Sequence, residues 1–250
     1  MTVHALRART VGELVDATFS LYRRDASAYI MVTALAAVPG LVAQLLLLRA
    51  QNSGSLLASF GALIIALISL VTYGMMTGVT TKVGSDVYLG GEADVAAAVR
   101  HTLPRLGALV GAGLLKGVMI ALYALMLVLP MFIAFAKWFA PEAAVILEDK
   151  TAGEAMTRSR MLAEGLRWHI LRALLLGYGI YFLLGIALSS IGIVAQNEVL
   201  GLFVQTLFTI VAYPIVGLLT MLLYYDARIR KEGFDVEHLS RALGDGTPAR

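Results

Sequence analysis

Three charged side chains, Lys116, Lys137 and Glu142, lie inside long apolar runs, and their types and spacing are the ones in this chain best suited to chemistry. A charge in hydrocarbon costs roughly 2.5–3.5 kcal/mol on insertion scales, so it persists only where it is paired or functional. If the chain doubles back between Lys116 and Lys137, the two ammonium groups fall at similar depth, about 15 Å into the bilayer. They could then face one another, and at least one must pair, shift its proton equilibrium or snorkel away. Glu142 is the acid available here. It stands five residues from Lys137, off the face that i+3 and i+4 neighbours share, so Lys116 across the hairpin is its expected partner. Pro141 cannot donate to the Lys137 carbonyl, which adds an acceptor at the same place. Two readings follow: a polar cavity for an anionic headgroup or a proton relay, or an inter-helix ion pair that sets hairpin register.

Other chemistry finds little foothold. The four histidines, His4, His101, His169 and His238, are scattered, and none sits in an H-E-x-x-H string. There is no G-x-S-x-G, no phosphate-binding G-x-x-x-x-G-K-[ST] and no G-x-G-x-x-G, and cysteine is absent. The chain reads as non-catalytic, with no catalytic residue, metal site or cofactor expected.

The elements that must position these residues are membrane spans. Hydrophobic residues make up 59% of the chain and charged residues 15%, with a mean hydropathy of +0.79, far from a soluble composition. At about 20 residues per crossing, spans are expected at about 28–48, 56–80, 106–128, 131–148, 168–194 and 199–225. The fourth rests on a turn at Leu129-Pro130. Of the 20 Lys and Arg, 17 fall in four segments, Arg7 to Arg24, Lys82 to Arg105, Lys150 to Arg172 and Arg228 to Arg250. An even number of crossings puts all four on one side, the cytoplasmic side by the positive-inside rule; five crossings would reverse it. The first 27 residues contain Glu13, Asp16 and Asp25 and do not read as a signal peptide.

An all-α polytopic bundle of three hairpins follows, each hairpin preceded by a cytoplasmic amphipathic helix. Thr10-Val11-Gly12-Glu13 and Thr151-Ala152-Gly153-Glu154 carry the capping-box pattern, and Asp94 starts a second, shorter stretch that Pro104 ends. Each such helix is expected in the interface plane, its apolar stripe among acyl chains. The candidate basic site on this face comprises Arg23, Arg24, Arg158, Arg160, Arg228, Arg230 and Lys231, facing membrane lipids or a protein partner; nucleic acid is not a needed partner. Gly74-x-x-x-Gly78, Gly107-x-x-x-Gly111 and Gly113-x-x-x-Gly117 allow close helix approach within the bundle or between copies. Pro39 and Pro214 are expected to kink the first and sixth spans.

The string Tyr224-Tyr225-Asp226-Ala227-Arg228-Ile229-Arg230-Lys231-Glu232-Gly233-Phe234-Asp235 reads as the exit of the sixth span, with Gly233 as a left-handed cap. It resembles the ending of the membrane domain of bacterial glycerophosphoryl diester phosphodiesterases and of stand-alone membrane proteins that share that domain. Arg9-Thr10-Val11-Gly12-Glu13-Leu14, Leu21-Tyr22-Arg23-Arg24, Pro141, Glu148, Ala155, Arg158-Ser159, Leu162, Gly165 and Trp168 extend the likeness over most of the chain. The spans and charge pattern give one integral membrane domain at 1–235 and a cytoplasmic tail at 236–250, and the resemblance implies that the phosphodiesterase work of fused members belongs to a soluble barrel not expected in these residues. The expected role is a scaffold or binding module for envelope partners or lipids at the cytoplasmic face of the plasma membrane. The alternative is a small transporter or lipid conduit using Lys116, Lys137 and Glu142.

Overall fold

The apolar runs form helices because, in lipid, only a helix satisfies every backbone polar group within its own segment. The computed structural model describes residues 7–50, 56–126 and 128–234, and it is all-α. His4, His238, the tail at 236–250 and residue 127 of the central hairpin lie outside the described residues. In chain order the helices are α1 (Val11–Arg24), α2 (Ala26–Ala50), α3 (Leu56–Tyr88), α4 (Val95–Thr102), α5 (Leu106–Met126), α6 (Val128–Lys137), α7 (Pro141–Glu148), α8 (Ala152–Ala163), α9 (Arg167–Val194) and α10 (Glu198–Glu232). Among the described residues six stretches are long and apolar enough to cross a membrane: a multi-pass helical protein.

The short helices α1, α4 and α8 each precede a hairpin, α2/α3, α5/α6–α7 and α9/α10 respectively. All three start at a polar cap. Glu13 N–H donates to Thr10 Oγ1 and the Thr10 N–H to Glu13 Oε2; Glu154 Oε2 accepts from the Thr151 N–H at 2.9 Å; Ala97 N–H donates to Asp94 Oδ1 at 2.8 Å. Each bond satisfies backbone or side-chain groups that a helix start leaves open. At the other end of the chain Gly233 closes α10 at φ +64°, its N–H returning to the Ile229 carbonyl.

Neighbouring spans pack in a closed ring, α2 on α3, α3 on α5, α5 on α6, α6 on α9, α9 on α10 and α10 on α2. α7 leaves this ring and packs on α3, α5, α8 and α10 at once, with every residue from Pro141 to Ile146 buried. Close approach depends on glycine at several places, among them Gly84 against Leu218 and Gly177 against Leu219 of α10. A Cβ at Gly78 would sit 2.5 Å from Thr102 and 2.7 Å from Leu109, which seats α3 against α4 and α5; at the α9/α10 tip a Cβ on Gly192 would lie 2.6 Å from the Gly201 backbone. Gly74 and Gly113 also meet side chains across the α3/α5 contact, whereas Gly111 meets Ala152 of α8, and Gly107 and Gly117 have nothing against them. The expected seam is therefore used in part. Pro39 and Pro214 both sit within continuous helices.

The long helices do more than cross a bilayer. α3 has 33 residues and α10 has 35, or about 50 Å each against a hydrocarbon thickness of about 30 Å. On α3 the exposed large apolar residues are Phe60, Ile64, Leu67 and Val71, while Met76, Val79, Val83, Val87 and Tyr88 are buried. On α10 they are Val199, Leu200, Phe203, Leu207 and Val211, and the chain is largely buried from Pro214 to Ala227. Lipid-facing surface thus stops near Val71 and Val211, and beyond it lies a protein core closed by α1, α4, α7 and α8: the capped end.

That arrangement corrects one expectation. Most of the apolar stripes of the short helices face protein rather than acyl chains: Leu14, Thr18 and Leu21 of α1 are buried, as are Ala155, Met156, Ser159, Leu162 and Ala163 of α8, while Phe19 and Met161 stay exposed. An amphipathic pattern states that one face avoids water and leaves open what covers it. Here α10 and α9 cover α1, α3 covers α4, and α7 and α5 cover α8.

Candidate functional site

The fourth span is two helices. Pro141 has no N–H to give the Lys137 carbonyl and its ring clashes there, so α6 stops at Lys137 and α7 restarts with Pro141 in its first turn. Trp138, Phe139 and Ala140 between them are irregular and buried. The broken backbone is resatisfied by side chains: Ser159 Oγ accepts from the Ala140 N–H at 3.2 Å, and the Phe139 carbonyl accepts from Lys116 Nζ at 3.4 Å. It is Phe139, then, and not Lys137, whose carbonyl the lysine takes.

Lys116 also donates to both oxygens of Glu142, each at 3.2 Å, and Tyr73 Oη donates to Glu142 Oε1 at 3.3 Å. Both charged side chains are nearly inaccessible, at 10% and 4% exposure. Lys137 takes no part. Its ammonium lies 4.5 Å from the Trp138 ring centre and 6.0 Å from that of Tyr123, a cation–π setting that separates it from Lys116. The two lysines, which could have faced one another, have separate partners: Lys116 is paired with Glu142, and Lys137 lies against Trp138 and Tyr123.

At the capped end the C-terminal string binds the rest of the chain together. Arg158 of α8 reaches Glu148 through two bonds of 2.8 Å, the fork geometry a guanidinium suits, and also pairs with Glu232. Tyr224 donates to Glu148 Oε1 at 2.7 Å, and Arg228 lies 3.4 Å from Glu148 and 3.2 Å from Glu232. Asp226 gathers a second group, accepting from the Arg9 N–H at 2.7 Å and Arg230 Nε at 2.8 Å, with His169 Nε2 at 3.0 Å. Arg230 bonds the Arg9 carbonyl at 2.6 Å, and Lys231 bonds the Met161 carbonyl at 2.9 Å. Bonding to Glu232 and Glu148 holds the Arg158 guanidinium above its ordinary value against the opposing effect of burial.

Four of the seven cations expected to form a basic docking site, Arg158, Arg228, Arg230 and Lys231, are thus bonded to other parts of the chain, the first two partly buried and the last two exposed. They tie α1, α8 and α9 to the exit of α10. Arg23, Arg24 and Arg160 remain exposed; Arg23 bonds only the Phe19 carbonyl of its own helix, and Arg24 stands 3.5 Å from Asp25. Arg100, Arg167 and Arg172 are exposed too, with no carboxylate partner among the described residues. The residues that sequence reading missed are the acids Glu148, Asp226 and Glu232 and the phenol Tyr73. Part of the signal was local, because Asp226/Arg230 and Arg228/Glu232 are i,i+4 pairs on one helix face.

Tyr22 Oη donates to the Val211 carbonyl at 3.0 Å, so the end of α1 with Arg23 and Arg24 lies level with the last lipid-facing residue of α10. Val95 and Val99 of α4, the helix that carries Arg100, line a cavity with Val71, Met75 and Val79 of α3. Cations therefore gather where lipid-facing surface gives way to the cap. Among the described residues no three His, Asp or Glu side chains are grouped as metal ligands. Fold and site together define a polytopic helical membrane protein with a broken, ion-paired span. No family model matches the chain, and neither the curated proteins nor the solved structures contain a match.

Proposed function

We propose that this chain is a non-catalytic multi-pass protein of the plasma membrane, with both termini cytoplasmic, whose capped end docks on the anionic inner leaflet and on envelope partners gathered there. One observation carries this reading: Arg23, Arg24, Arg100, Arg160, Arg167 and Arg172 of the capped end are exposed and, among the described residues, make no bond to another helix, while four other cations of that end, Arg230 and Lys231 exposed among them, bond across to other parts of the chain. A cation near an anionic leaflet gains about 1 kcal/mol, so six would hold and orient the cap. The resemblance to the membrane domain of bacterial glycerophosphoryl diester phosphodiesterases agrees with a membrane-embedded module.

The test is lipid retention. Full-length protein in nanodiscs of phosphatidylcholine with phosphatidylglycerol is released and weighed by native mass spectrometry. Preferential carry-over of phosphatidylglycerol is expected, reduced in the Arg23→Ala, Arg24→Ala, Arg160→Ala triple variant and retained when Lys231 is changed to Ala. Equal retention of both lipids by the wild type would refute the reading.

The alternative, a small transporter or lipid conduit, draws on one feature: Tyr73 lines a cleft in the opposite half of the bundle while its hydroxyl bonds Glu142.

A further inference from the structure

That cleft lies between α2, α3, α9 and α10, toward the end away from the cap, and encloses about 280 Å³. Its polar lining includes Gln44, Thr72, Gln205 and Thr206, and its aromatic lining Tyr181 and Tyr213, with Tyr73 alongside. Amides and hydroxyls at this depth are costly unless they are partnered. Gln205 Oε1 is nonetheless buried with no partner among the described residues.

The aromatic groups are fixed from behind. Tyr213 Oη shares a 2.5 Å hydrogen bond with Thr77, Tyr73 is held by Glu142, and their rings meet edge to face at 6.2 Å. Tyr181 packs on Phe208 at 5.1 Å. The cleft continues outward, since Leu202 and Gln205 also line a second cavity bordered by Ser189, Gln196, Asn197 and Glu198 at the α9/α10 tip.

We infer that this cleft is a binding site for an uncharged, polyhydroxylated group about the size of one sugar ring, either free or as the headgroup of a lipid. The lining favours an uncharged occupant: among the described residues none lining the cleft is charged to pair with an ion, the Glu142 carboxylate behind Tyr73 is matched by Lys116, and Glu198 at the mouth disfavours anions. Amide and hydroxyl groups can both donate to and accept from hydroxyls, and aromatic walls suit the C–H faces of a ring. A volume just under the roughly 300–1,000 Å³ of drug-sized pockets limits the occupant to a small group. The inference concerns binding alone; it is independent of docking at the cap and of any passage across the bilayer.

The test uses the full chain in phosphatidylcholine nanodiscs, prepared without glycoside detergents. Glucose is the free probe, followed by saturation-transfer NMR, and monoglucosyl diacylglycerol is the lipid probe, followed by native mass spectrometry. Binding of glucose supports a site for free and lipid-borne sugars; binding of the glucolipid alone supports the headgroup source. In either case Gln205→Leu with Thr206→Val lowers affinity about tenfold or more, as expected for lost hydrogen bonds, while the lipid-facing Leu207→Ala does not. If the double variant does not fold, Thr72→Val is measured in its place. The inference is overturned if neither probe binds, if the cleft variants bind as the wild type does, or if phosphatidylglycerol displaces the glucolipid.

Discussion

Lys116, midway along α5, holds both carboxylate oxygens of Glu142 at 3.2 Å, and Glu142 belongs to the first turn of the helix that restarts after the break in the fourth span. The same ammonium bonds the Phe139 carbonyl inside that break. One lysine therefore serves an acid and an irregular backbone together, which lets a non-helical segment persist at membrane depth.

Removing one partner leaves the other charge buried. Lys116→Met is expected to destabilise the protein by roughly 3–5 kcal/mol, whereas Lys116→Met with Glu142→Met is expected to be much milder. Thermal unfolding of the two single variants and the double variant in one detergent measures the coupling. Additive losses would mean that the two side chains do not depend on one another.

Arg158 and Arg160 lie two residues apart on α8 and face opposite environments. Arg158→Ala leaves Glu148 to Tyr224 and Arg228 and Glu232 to Arg228 alone, and is expected to cost about 1–3 kcal/mol, loosening α8 and the end of α10 in hydrogen exchange. Arg160→Ala, at an exposed position, is expected to fall within about 0.5 kcal/mol of the wild type. Similar losses in both would remove the distinction drawn between structural and free cations.

Gly78 has no room for a larger side chain, with Thr102, Leu109 and Ile146 all within 3.3 Å of a built Cβ. Gly78→Val is expected to lower stability by about 1–3 kcal/mol through overpacking, and Gly107→Ala, where nothing lies within 4 Å, to have little effect. Unfolding midpoints of the two variants decide the point.

The start of α1 has a pH dependence of defined sign. Its bond from Arg7, and then those from Thr10, hold the Glu13 carboxyl down at about 2 against an ordinary 4.5. A depressed value of this kind adds stability that is fully present above pH 4.5 and is lost as pH falls toward 2. Hydrogen exchange over residues 11–24 should accelerate through that window, and Glu13→Gln should remove the pH dependence. An unchanged profile in the variant would show that the capping box does not govern the helix.

Much of this architecture was legible in the sequence. Apolar length gave the six spans, and polar caps at Thr10, Asp94 and Thr151 marked the short helices, because both signals are local. Glu142 as the partner of Lys116 followed from helix periodicity and the hairpin. What was hidden depended on distant contacts. Nothing near Arg230 indicates that it reaches the Arg9 carbonyl, and nothing near Arg158 indicates Glu232. The overhang of α3 and α10 was hidden for a related reason: residues such as Val83 and Leu222 are as apolar as lipid-facing ones, and only packing separates a protein core from a bilayer span.

The role proposed for the capped end requires that it face the cytoplasm, and the absence of native cysteine makes this directly measurable. Single cysteines replace exposed Leu89, between α3 and α4, and exposed Gln196, between α9 and α10, and a membrane-impermeant maleimide is applied to intact cells and to inside-out vesicles. Gln196→Cys should be labelled in intact cells and Leu89→Cys only in the vesicles. Labelling of Leu89→Cys in intact cells would place the cap outside and contradict the account.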